Sequence, residues 1–340
     1  MRIPTSLQEL NPQQAHLCLN IERFVTKELN LSLTGSRILI ALSAGVDSMA
    51  LLLFCHIQKK RWGLDLKAVH LNHHLRQPAQ REAEFVKEIC TQLNIPCDIG
   101  TSHIRIYADK YRLGLEEAAR ILRYRFLIGV RKKIKADYLL TAHHLNDLAE
   151  DILLRQIRGT GWPSLGGMAA YIPEKSLLRP FLLTPKEELQ KLVSQANMTW
   201  FEDESNQDLR FQRNRIRHTI MPLLTEENPN YLEQIKKLWQ QANTDADYWD
   251  TKLKSLQEKE SRQKEAIYLK NKDLNQLHQA SRLRWYKSIL QRLGPGQVRG
   301  KTLYLLDKSW NQSDIGKTLQ FPGNKAVRIK HQGLCFLSAL

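Results

Sequence analysis

Paired cysteines are missing from this chain. Its 5 cysteines in 340 residues, Cys18, Cys55, Cys90, Cys97 and Cys335, are scattered and form no C-x-x-C. That spacing excludes a disulfide framework, a zinc ribbon and a dithiol redox pair. No apolar run reaches the length of a membrane span. The opening "MRIPTSLQEL" lacks the apolar centre of a signal peptide. A cytoplasmic protein with no membrane partner is therefore expected. A Walker A sequence is absent as well. The nearest approach, "GPGQVRGKT" (294–302), has the wrong glycine spacing and follows a helical pattern rather than a buried strand, so it reads as a basic turn.

Positive charge is abundant. Lys and Arg number 51 against 35 Asp and Glu, a formal net charge of +16. Such an excess points to a polyanionic partner, because phosphates neutralised by Lys and Arg release counterions. The length suggests two domains.

Along the first two thirds, short buried-strand patterns alternate with amphipathic helical ones. "RILIAL" (37–42), "LKAVHLNH" (66–73), "CDIGTSH" (97–103) and "DYLLTAH" (137–143) read as strands. Helices are expected over 12–30, 47–59, 78–94, 115–134 and 146–159. In "TPKEEL" the spacing predicts a helix capped by Thr184 with Pro185 at its first position. The rhythm predicts an α/β fold, a parallel sheet with helices on both faces. It stops near 222–230. Domains of 1–222 and 223–340 are expected, the second mostly helical with short β-like runs at its end.

The segment that carries chemistry is "LSAGVDSMALL", where a buried strand passes through Ser43-Ala44-Gly45-Val46-Asp47-Ser48 into a helix. In a parallel sheet such a loop lies beyond the carboxyl end of its strand, with backbone N–H groups and the helix dipole pointing outward. Small residues let a phosphate approach. Asp47 would repel phosphate unless Mg²⁺ bridges the two, so the loop reads as a Mg-nucleotide site with Asp47 as the metal ligand. As a bare turn, the same residues would leave Asp47 as a helix cap.

The loop resembles the S-G-G-x-D-S signature of the N-type ATP pyrophosphatases, the PP-loop superfamily, with Ala44 in place of a glycine. Alanine adds a methyl and is not expected at positive φ. The loop is expected to keep its shape, with ATP affinity suffering if the backbone there needs positive φ. Further segments resemble the tRNA(Ile)-lysidine synthetase family: "EEAARILRYRFL" (116–127), "TAHHLNDLAED" (141–151), "RGTGWPSLGGM" (158–168), "RPFLLTPKEEL" and "FEDESNQDLRFQRNRIRHTIMPLL" (201–224). The resemblance spans 37–224. It implies that ATP adenylates the 2-carbonyl oxygen of the wobble cytidine in a CAU-anticodon tRNA(Ile), and that free L-lysine then displaces AMP.

Several roles follow from that resemblance. Ser43, Ala44, Gly45, Val46, Asp47, Ser48, His73 and Arg120 would bind ATP. Asp147 and Glu150, three apart on one helical face, would grip the lysine ammonium. Arg158, Arg210, Arg213, Arg215 and Arg217 would meet tRNA phosphates. Asp47, Asp147 and Glu150 would be the catalytic carboxylates. The family's first acid is Asn146 here. His143 and His144 read as packing and hydrogen-bonding groups rather than metal ligands. A homodimer is left open. Three other readings compete. A tRNA cytidine 2-thiolation enzyme would need the cysteine pairs this chain lacks. An amidotransferase-fed synthetase has no use for the R-N-x-x-R segment. A non-catalytic RNA-binding protein on a degenerate PP-loop fold is the third.

Overall fold

The computed structural model describes residues 3–72, 78–201, 208–263 and 266–338. Two compact units divide the chain, Met1–Ala242 and Asn243–Leu340.

The first unit begins with α1 (Pro12–Arg23) and then alternates strands and helices. These are β1 (Arg37–Leu42), α2 (Val46–Trp62), β2 (Asp65–Asn72), α3 (Pro78–Gln92), β3 (Cys97–Thr101), α4 (Ile104–Tyr111), α5 (Leu115–Lys133), β4 (Tyr138–Leu140) and α6 (Leu145–Ile157). Two short strands, β5 (Tyr171–Ile172) and β6 (Leu177–Leu178), and α7 (Lys186–Gln195) follow. The sheet order is β3-β2-β1-β4-β6-β5, parallel except for the last pair.

Side-chain alternation explains why both sheet faces are covered. Ile38, Ile40 and Leu42 of β1 join Met49, Leu52 and Leu53 of α2 in the main core. Leu39 points the other way, onto Val69, Leu127 and Leu139 in a second cluster with α5. Met49 to Cys55 of α2 are all buried, which is why this part of the helix reads as a continuous apolar run rather than a stripe.

Strands β2 and β4 flank β1 on opposite sides, so the chain direction across the sheet reverses there. Ligands in open parallel sheets bind outside the carboxyl ends of the strands at such a reversal. The loop 43–48 leaves β1 at this crevice, and Thr141–His144 leave β4 at it.

The chain then runs through α8 (Gln212–Arg215), a π-helical turn at Ile216–Ile220, α9 (Met221–Glu227) and the long α10 (Tyr231–Gln257). The division between units falls inside α10, later than the 222/223 boundary expected. The reason is that Ile235 and Trp239, early in α10, belong to the first unit's core.

The second unit contains more strand than its sequence suggested. Strands β7 (Ser261–Gln263), β8 (Ala266–Lys270), β9 (Thr318–Phe321), β10 (Lys325–Lys330) and β11 (Gly333–Ser338) form an antiparallel sheet ordered β7-β8-β11-β10-β9. Between β8 and β9 lie α11 (Asn271–Asn275), α12 (Gln279–Arg292) and α13 (Gly300–Asn311). Gly323 and Asn324 both have positive φ, +81° and +53°, the turn geometry that matches the twist of a tight hairpin. The "GPGQVRGKT" segment joins α12 to α13. Two of its carbonyls, at Gly294 and Gly296, accept from the buried ammonium of Lys325. Among the described residues no helix is long and apolar enough to cross a membrane.

Candidate active site

The loop 43–48 is held from within. The Ser48 hydroxyl accepts from the Ser43 N–H at 3.1 Å and donates to the Gly45 carbonyl at 2.9 Å. The Ala44 carbonyl accepts from the Phe201 N–H at 3.0 Å. Gly45 precedes the first residue of α2, so the first-turn N–H groups of that helix, which have no acceptor within it, face the crevice. Ala44 is fully buried and has φ +65°. Alanine therefore does occupy the left-handed region, against the expectation from sequence. The conformation costs about 1–2 kcal/mol for an L residue. Packing of its methyl in the main core offsets part of that.

Asp47, in the first turn of α2, faces His144, with Oδ2 at 3.4 Å from Nε2. Its other oxygen, Oδ1, is buried and has no hydrogen-bond partner. A buried carboxylate oxygen left unsatisfied is costly, and a divalent cation shared with a phosphate would satisfy it. The residues present thus fit a bound Mg²⁺.

His144 is the N-cap of α6. Its Nδ1 accepts from the Asp147 N–H, and Asp147 accepts in return from the His144 N–H at 3.1 Å, a capping box. Nε2 then carries the hydrogen that faces Asp47 and Asp147. Burial opposes charge on this ring, but Asp147 and Asp47 outweigh it and hold its pKa above the ordinary value. His143, next in the chain, behaves oppositely. Burial dominates and pushes it down to about 3, so it is neutral and paired with the Thr141 hydroxyl at 3.0 Å.

Asp147 and Glu150 do share one face of α6, as expected. They are not alone there. Arg213 donates from Nε to Glu150 Oε2 at 2.7 Å and from Nη2 to Asp147 Oδ1 at 2.8 Å. Arg217 donates from Nε to Glu150 Oε1 at 2.6 Å, with Nη2 reaching Oε2 at 3.1 Å and Asp147 Oδ1 at 3.3 Å. Against a large burial penalty, His144, Arg213 and Arg217 hold the Asp147 carboxyl well below the usual range. Arg213 sits above the ordinary arginine value because the two acids outweigh its own burial. Arg123, from α5, lines the same cleft. Its side chain is exposed and interacts electrostatically with Arg213, Arg120 and Asp147.

The five arginines expected to meet tRNA phosphates are arranged differently from one another. Arg213 and Arg217 pair with acids across the cleft. Arg210 is exposed and pairs with Asp208 at 2.7 Å. Arg215 donates to the carbonyls of Leu209 and Arg210, each at 2.8 Å. Arg158 is exposed just past the end of α6. His73 lies outside the described residues, as do Asp203 and Glu204.

Asn146, which replaces the family's first acid, accepts from the Lys186 N–H at 3.0 Å and so caps α7. That service was expected of Thr184, whose side chain makes no such bond. Asp151 pairs with Arg155 at 2.7 Å, one turn along its own helix. Sequence reasoning missed Arg179, a buried guanidinium whose Nε has no partner and whose Nη2 donates to the Tyr124 hydroxyl at 3.4 Å. Its only sequence signal was its place in "RPF".

Among the described residues no three His, Cys, Asp or Glu side chains gather as a ready-made metal site. A cation here would share Asp47 with ligand oxygens.

Comparison with known proteins agrees with this geometry. Residues 14–224 match the model of the PP-loop domain family. The chain is 40% identical over 314 residues to a tRNA(Ile)-lysidine synthase from Nitratidesulfovibrio vulgaris, covering 87% of this chain and 90% of that protein. It is 35% identical over 226 residues to one from Thermosipho africanus, covering 65% of this chain and 52% of that one. Among solved structures, a U34-tRNA thiolase from Methanococcus maripaludis with its [4Fe-4S] cluster aligns with TM-score 0.56 at 17% identity, over 66% of this chain and 80% of that chain, which is a likeness of fold.

A strand–loop–helix phosphate cradle at the reversal point of a parallel sheet defines a PP-loop ATP-binding protein. Within that class the chain belongs to the tRNA(Ile)-lysidine synthase family, whose members are ATP-dependent ligases.

Proposed function

We propose that this protein joins free L-lysine to the 2-carbonyl carbon of the wobble cytidine in a CAU-anticodon tRNA(Ile). The observation that carries the reading is the cleft at the sheet reversal. There the loop 43–48 lies, through the Asp47–His144 contact, beside the carboxylates of Asp147 and Glu150, which supports reading it as the phosphate site.

The cytidine carbonyl oxygen attacks the α-phosphorus of ATP, and pyrophosphate leaves. The lysine side-chain ammonium gives up a proton to solvent, the freed amine attacks C2, and AMP leaves with the former carbonyl oxygen. Ser43 to Ser48 would receive the phosphates through backbone N–H groups, and Arg120 would add positive charge. Asp47 would hold Mg²⁺, whose chemistry is to offset phosphate charge. Asp147 and Glu150 would receive the lysine ammonium, for which paired carboxylates are the natural host. Arg158, Arg210 and Arg215, together with the excess of cations over the chain, would meet tRNA phosphates.

The test is incubation of the purified chain with radiolabelled lysine, ATP, Mg²⁺ and CAU-anticodon tRNA. Label entering the isoleucine species is the expected result. ATP-dependent tRNA binding without transfer would instead favour a non-catalytic RNA-binding protein.

A further inference from the structure

The carboxylates to which this reading assigns the ammonium are covered. Arg213 and Arg217 each fork across both acids, and together they supply five hydrogen bonds of 2.6–3.3 Å. Two guanidiniums against two carboxylates make the cluster neutral, so an incoming ammonium would be a third cation. Forked guanidinium–carboxylate bonds are among the stronger charged contacts, and a hydrated ammonium competes poorly with two of them.

Exposure shows which groups face outward. The Glu150 side chain is 2% exposed and that of Asp147 14%, whereas those of Arg213 and Arg217 are 31% and 27%. The arginines lie over the acids and present cations to the cleft, where Arg123 and Arg120 add more of the same sign. That mouth suits an anion. Arg217 also lies in the π-helical turn Ile216–Ile220, where the Met221 N–H reaches back to the Ile216 carbonyl. Conversion of such a turn to regular helix rotates the residues before it by about 100°, which gives the arginines a way to move.

We infer that Arg213 and Arg217 stand in for the substrate ammonium, and that phosphate binding to their guanidiniums uncovers Asp147 and Glu150. Amine entry then follows phosphate entry. The arginines become the residues that make lysine binding conditional on the other substrates. The phosphate comes from the tRNA backbone or from ATP, and the experiment separates the two. The inference rests on the proposed function, because it takes Asp147 and Glu150 as the amine host.

The experiment is equilibrium dialysis of labelled lysine against the full chain in four arms: alone, with Mg²⁺ and an ATP analogue carrying a non-cleavable α,β-methylene bridge, with CAU-anticodon tRNA, and with both. Lysine affinity should rise by about tenfold or more in the arm holding the effective phosphate, within the usual range of coupling between sites. By reciprocity, lysine should tighten that ligand by the same factor. Arg217→Gln should bind lysine about tenfold more tightly than the native chain in the unliganded arm. If that variant does not fold, Arg213→Lys and the four native arms still decide. Equal lysine affinity in all four native arms overturns the inference. Failure of lysine transfer to tRNA in the complete mixture overturns the functional reading instead, so the two failures are distinguishable.

Discussion

Each unit of this protein holds a partly or fully buried arginine–carboxylate cluster, and the two are built for different ends. In the second unit Asp307 is fully buried and closed on every side. Arg282 donates to it twice, at 2.7 and 3.0 Å, and Gln279, Tyr286 and Asn311 supply further bonds at 2.9, 3.3 and 3.3 Å. Arg282 is 11% exposed in its side chain and stacks on the Trp310 ring. In the first unit the acids are covered by arginines about 30% exposed, and further cations line the cleft. The chemistry of the pairs is the same. A closed cluster ties α12 to α13, whereas an open one with surplus cations can exchange partners with a ligand.

That contrast is broken most directly at Asp307. Asp307→Ala leaves Arg282 and Tyr286 without their shared acceptor, and breaking a buried pair from one side costs about 3–5 kcal/mol. Urea unfolding should show a loss of that size, with the lysine KM of the folded fraction unchanged. A loss below about 1 kcal/mol would mean that the closed cluster is not structural.

The adjacent histidines sharpen the same contrast, because burial lowers the pKa of one while neighbouring acids raise that of the other. His143 has its pKa pushed down to about 3. Below about pH 6.5 the unfolded chain takes up a proton that the folded chain refuses. Its contribution to stability therefore falls as pH drops from about 6.5 toward 3, at up to about 1.4 kcal/mol per pH unit. His144 is raised. Its contribution is fully present below about pH 6.5 and is lost as pH rises through the folded value. His143→Gln should lose stability less steeply than the native chain between about pH 6.5 and 4, whereas His144→Gln should match the native slope there and depart from it above about pH 6.5, where only the native chain loses this contribution as pH rises. Unfolding free energies with equal slopes below about pH 6.5 for His143→Gln and the native chain would remove the first assignment, and equal slopes above about pH 6.5 for His144→Gln and the native chain the second.

Glu150→Gln tests the open cluster itself. With one carboxylate neutralised, the lysine KM should rise about tenfold or more, about 1.4 kcal/mol, while the ATP KM stays within about twofold. An unchanged lysine KM takes Glu150 out of the amine site.

Much of this could be read before any coordinates, for identifiable reasons. The βα rhythm was legible because a strand buried on both faces and an amphipathic helix have different periods. The loop 43–48 was legible because small residues between such elements have few other uses. The pairing of Asp147 and Glu150 with Arg213 and Arg217 was not, since it joins positions more than 60 residues apart. A faint signal existed: two acids three apart and two arginines four apart, each pair on one helical face. The C-terminal sheet was under-read because "KAVRIK" and "GLCFLS" are short runs at the end of a mostly helical stretch. Thr184 was the expected cap for α7, but Asn146, 40 residues before Lys186, supplied the acceptor.

The smallest predicted effect concerns Ala44. Its left-handed conformation is part of the folded loop, so folding is expected to bear the strain. Ala44→Gly removes about 1–2 kcal/mol of strain. It gives back about 0.5–1 kcal/mol through the freer unfolded glycine and about 0.8 kcal/mol through the lost buried methyl. Stability should therefore stay within about 1 kcal/mol of the native chain, and the ATP KM should move less than about threefold. A tenfold fall in ATP KM would show instead that the methyl distorts the loop as phosphate arrives. The strain would then belong to binding, and Ala44 would be a residue that limits ATP affinity.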